Sequence, residues 1–136
     1  MLLGVRPLVA VAGVNSFVYA TRWEGRAGEA RDLYLQLVDL DQHPVPADPT
    51  LRGLRYAPAA GSTLQVTLLN LDSNKTLVRT AIQPFAGDAS IWRVSLLASD
   101  PVNGTVNFKF VLTESGVAKI AGLPAGLNII PVQEVV

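Results

Sequence analysis

A chain of 136 residues is the size of one domain, long enough to bury roughly two-thirds of its unfolded surface. With 49% hydrophobic and 16% charged residues it is too apolar for intrinsic disorder, and 11 Lys plus Arg against 11 Asp plus Glu leave no net field to draw in a nucleic-acid backbone. There is no cysteine, which excludes disulfides, thiolate metal sites and a cysteine nucleophile, so packing must hold the fold together.

Residues 1–20 loosely imitate a secretory signal, but Pro7, Gly13 and Asn15 interrupt the apolar run, which is also too broken to span a membrane. Its Val, Ala and aromatic residues suit extended chain, and two early strands are expected over 7–14 and 16–23. Residues 1–30 are therefore either ordinary first strands or an assembly arm that reaches a neighbouring subunit, ahead of a sandwich body over 31–136. Charged, glycine-bearing residues 24–31 form a loop and lack the Lys-Ser or Lys-Thr of a phosphate cradle.

Further on, Leu33, Leu35 and Leu37 alternate with Tyr34, Gln36 and Val38, and this strand runs into Pro44, Pro46 and Pro49, which have no N–H for a ladder. A short strand over 51–56 precedes a turn. Leu64, Val66 and Leu68 then oppose Thr63, Gln65 and Thr67, and residues 72–75 reverse the chain into a partner strand over 76–82.

The clearest period-two pattern lies in 88–113. Trp92, Val94 and Leu96 share one face with Arg93 and Ser95 opposite; Val106, Phe108, Phe110 and Leu112 do the same against Asn107 and Lys109. Both runs can serve one core. A glycine turn at Gly116, a strand over 117–121 and an apolar run over 127–132 complete the chain. No stretch carries helical periodicity over three turns, and short strands recur at sandwich spacing, so the expected fold is an all-β, antiparallel, immunoglobulin-like sandwich of seven to nine short strands. The prolines argue for open sheets over a closed barrel.

Little here resembles a reacting site. His43, the lone histidine, sits among Asp39, Asp41 and Asp48, but Gln42, Pro44 and Pro46 break the alternation a calcium loop needs, and no metal or other cofactor is expected. No Gly-x-Ser-x-Gly elbow occurs. Asp88, Asp100 and Glu114 each fall in a turn, where acidic residues serve conformation, so no catalytic residue is assigned and the chain is read as a non-enzyme. The apolar surplus instead suggests partner contacts. Trp23 with Arg22, Arg26 and Arg31 has the composition of an interface hot spot. The apolar termini, with Leu8, Val9 and Val11 at one end and Ile130 and Val132 at the other, could add to a neighbour's sheet. A glycan-binding platform of Trp23, Tyr34 or Tyr56 is the alternative.

Residues 35–45, LQLVDLDQHPV, resemble a strand of the N-terminal domain of the phage baseplate upper protein family, written hydrophobic-x-Leu-x-Asp-x-x-Gly-x-Pro-Val, though without its glycine. Gly87 to Val94 and Gly104 to Phe110 are similar to that family's alternation of turn and strand, so the likeness covers roughly residues 31–132. It implies an immunoglobulin-like, non-enzymatic building block of a tailed-phage virion, assembled in the host cytoplasm as a homo- or hetero-oligomer with other virion proteins.

Overall fold

A computed structural model describes residues 2–11, 16–20, 23, 30–42, 47, 53–71, 73–97, 100 and 106–122. Nine strands are described: β1 (Leu3–Ala10), β2 (Phe17–Tyr19), β3 (Arg31–Asp39), β4 (Leu54–Arg55), β5 (Thr63–Asn70), β6 (Lys75–Ala81), β7 (Ile91–Leu96), β8 (Val106–Glu114) and β9 (Val117–Ala121). A single 3-10 turn, Leu40–Gln42, is the only helical element among the described residues. The fold is an all-β sandwich of two antiparallel sheets, as the alternation in the sequence predicts.

Sheet 1 runs β2-β1-β3, with β4 and β7 sharing the far edge of β3; sheet 2 runs β6-β5-β8-β9. Side chains interdigitate between them because strand residues alternate in direction. Leu3, Val5, Leu33, Leu35, Leu37, Trp92, Val94 and Leu96 point inward from sheet 1; Leu64, Val66, Leu68, Val106, Phe110 and Leu112 meet them from sheet 2. The two clearest sequence runs, β7 and β8, do share this core, but they contribute to it from opposite sheets.

Hydrogen bonds stitch the sheets together at both sides. Ile82 and Arg93 exchange backbone bonds of 3.0 and 2.7 Å, joining the end of β6 to β7. Across the molecule Gly122, just past β9, lies parallel to Gly4, giving its N–H to Leu3 and accepting from Val5. The sandwich is thus more closed than its prolines suggest.

Pro7 fits this seam for a definite reason. Val5 directs its N–H away from β3 toward Gly122, and strand alternation aims position 7 at the same edge. On that edge the Pro7 carbonyl accepts from the Ala20 N–H at 3.1 Å, so proline keeps the half of the pairing that needs no N–H of its own. In the N-terminal run, β1 lies between β2 and β3, with Leu3 and Val5 in the core.

Tight reversals close the two hairpins of sheet 2. Asn74 takes φ 56° between β5 and β6, and Ser115 and Gly116 take φ 51° and 79° between β8 and β9. These are the left-handed conformations that short hairpin turns require.

Candidate partner surface

Of the partner contacts expected from sequence, Leu8, Val9, Val11, Trp23 and Arg31 are among the described residues. Trp23 is only 4% exposed, its ring packed on Phe108 and Phe110 with centroids 5.1 and 6.2 Å away, and its Nε1–H donates to the Tyr34 carbonyl at 2.8 Å. It belongs to the core cluster. Leu8 is likewise buried, Val9 is exposed, and Val11 and Arg31 are half-buried. Leu8, Val9, Trp23 and Arg31 do line one cavity of about 250 Å³ at the end of β1. Arg22, Arg26, Ile130 and Val132 lie outside the described residues, as does His43. Packing places Trp23 in the same core cluster as Trp92.

The three rings considered for a glycan do not share a face. Trp23 is in the core, Tyr34 lies on the outside of sheet 1 with Phe17 at 4.9 Å, and Tyr56 leans on the core with its hydroxyl bound to Glu114.

That last bond belongs to a latch that ties the β4–β5 connection to the β8–β9 hairpin. The Glu114 carboxylate accepts from the Tyr56 hydroxyl, from the Ala59 N–H at 2.7 Å and from Lys119 Nζ at 3.0 Å. These donors, the tyrosine foremost, hold Glu114 down to about 2. The same bond to Glu114, then burial, pushes Tyr56 up to about 12. The other two turn carboxylates also serve conformation. Asp88 accepts from the Ser90 N–H and hydroxyl; Asp100 accepts from the Leu97 N–H and from Arg79 at 2.8 Å. Among the described residues no group of three His, Cys, Asp or Glu could hold a metal ion, and no helix is long and apolar enough to cross a membrane.

The most distinctive surface is the outside of sheet 1. Arg6 is only 6% exposed there; its Nη2 donates to the Gly53 carbonyl at 2.7 Å and its Nη1 to Gln36 at 3.3 Å. Gln36 passes a bond to Ser90 at 3.2 Å, and Ser90 passes one to Asp88 at 2.5 Å. Gly53 has φ +90° and its Cβ would come within 3.0 Å of Val38 Cβ, so a glycine is needed for this carbonyl to reach the arginine. The Arg6 guanidinium also lies 4.3 Å over the Tyr19 ring.

Beside this buried polar chain stands an aromatic group. Phe17 packs on Tyr34 and, at 5.6 Å, on Phe85, all three half-buried. By register Tyr19, Leu8, Tyr34 and Arg93 form a row across the sheet that ends at Ile82. Tyr19 and Ile82 are exposed in this row. The aromatic-plus-arginine composition expected near Trp23 is therefore found here, assembled from β2, β3, β7 and the β6–β7 connection. Sequence carried a partial signal: over residues 17–21 neither face is strictly polar, as expected for a strand covered on both sides or lying on a neighbour.

No family model matches the chain, and no match was found among curated proteins or solved structures.

Proposed function

We propose that this chain is a non-enzymatic structural subunit of a tailed-phage virion, held to neighbouring subunits by the outer surface of sheet 1. The observation that carries the assembly part is the grouping of Phe17, Tyr19, Tyr34 and Phe85 with Arg93 on one face, the residue types enriched where proteins meet. The virion part rests on the resemblance of residues 35–45, 87–94 and 104–110 to the baseplate upper protein family. Strand grouping supports the immunoglobulin-like reading: β1, β3 and β7 in one sheet against β6, β5, β8 and β9 in the other is close to the ABE and CFG division of such sandwiches.

A mass-spectrometric inventory of purified particles tests the reading. The expected result is the chain in multiple copies per particle, with Tyr19→Asp and Ile82→Asp together lowering its incorporation at least tenfold while circular dichroism stays that of a β protein. A chain missing from the particles would remove the virion assignment.

A further inference from the structure

The outside of sheet 2 carries almost no charge. Leu64, Val66, Leu68, Phe110 and Leu112 point into the core, so the residues between them point away from it. Register carries this outward set across all four strands: Ile120, Val111, Gln65 and Thr80 make a central row, with Lys109 and Thr67 in the next. None of the outward residues is buried, Ile120 is 67% exposed, and Lys109 is the one charged member among the described residues. Arg79, Lys75 and Lys119 stand opposite Val66, Asn70 and Leu112 in register, and so belong to the other side of their strands. A solvated sheet face ordinarily mixes charges of both signs; aliphatic and threonine side chains with no anion suit a face that is covered by another sheet.

We propose that two copies of this chain pack face to face through the outsides of their second sheets. Charge selects the occupant. A patch that meets itself across a two-fold axis sets its charges against their own kind, and this patch has one cation to place. A two-fold lying between the stacked sheets and running along the strands, between β5 and β8, sets Lys109 over Thr67 of the second copy; one running across the strands, between the two rows, sets it over Val111. Either way no like charges meet, whereas a charged partner would find no matching set of counter-charges. The area is sufficient. Four strands about 4.8 Å apart, with the 8 residues of β5 spanning about 27 Å, present roughly 500 Å² per copy and roughly 1,000 Å² per pair, the lower bound of a specific interface. The contact is therefore a weak, reversible one, distinct from the surface proposed on sheet 1.

Sedimentation equilibrium of the full chain between about 5 and 500 µM tests it. A monomer–dimer equilibrium is expected, with Gln65→Lys and Gln65→Glu each weakening association at least tenfold while circular dichroism stays that of a β protein. An equal mixture of the two variants should regain dimers, because opposite charges then face each other across the axis. Should either variant not fold, the exposed Ile120 takes the same pair of substitutions. Tyr19→Asp on sheet 1 should leave the equilibrium unchanged. A monomer at every concentration, a dimer indifferent to Gln65→Lys or lost in Tyr19→Asp, or a mixture no better than its parts would overturn the proposal. Because no particle is needed, dimers of a chain missing from particles would sink the virion reading and leave this face standing.

Discussion

Sheet 2 turns Thr63, Gln65, Thr76, Val78, Thr80, Asn107, Lys109 and Ile120 into solvent, with Ile120 at 67% exposure, whereas sheet 1 buries Arg6, Gln36, Val38 and Ser90 on its outward side. Both sheets belong to one sandwich and face the same core, so the difference lies in what the connections do. Between β3 and β4, and between β6 and β7, the chain brings Gly53 and Phe85 back over sheet 1; in sheet 2 tight hairpins join β5 to β6 and β8 to β9, and their outward residues stay exposed or half-buried among the described residues. The lesson is that a strand apolar on both faces signals a covered sheet, and that the cover can be made of a polar chain as well as of rings.

The largest expected break is in what the sheets share. Phe110→Ala should cost about 3–5 kcal/mol in urea denaturation, since the ring is fully buried and stacked beside Phe108 at 5.8 Å. Next comes the contrast itself. Arg6→Ala should cost about 2–3 kcal/mol, because it strips a charge-assisted donor from the buried Gly53 carbonyl and from Gln36. An equally small cost at Arg6 and on the outside of sheet 2 would erase the distinction between the faces.

The latch at Glu114 sharpens it further, since it fixes the connection that precedes the bare sheet. A carboxyl whose folded value lies near 2 and whose ordinary value is 4.5 contributes stability that is complete above 4.5 and lost as pH falls toward 2. Tyr56, raised from 10.0 to about 12, contributes below 10 and loses that contribution as pH rises toward 12. Glu114→Gln should flatten the denaturation midpoint between pH 4.5 and 2; an acid limb of undiminished slope would show that other carboxylates set it. The smallest effect belongs to the exposed face: Lys109→Ala should change stability by about 1 kcal/mol or less, read in the same denaturation assay.

Period-two alternation alone determined the strand identities and inward faces of β5, β7 and β8, because a half-buried strand writes its burial directly into the order of its residues. Turn residues likewise placed the β5–β6 and β8–β9 reversals. The tertiary structure decided which sheet each strand joined, closed the sandwich through Gly122 and Ile82, moved Trp23 into the core, and gathered Phe17, Tyr34, Phe85 and Arg93 on one face. Those outcomes depend on pairings between residues distant in the chain, and alternation within a strand carries no record of its neighbour.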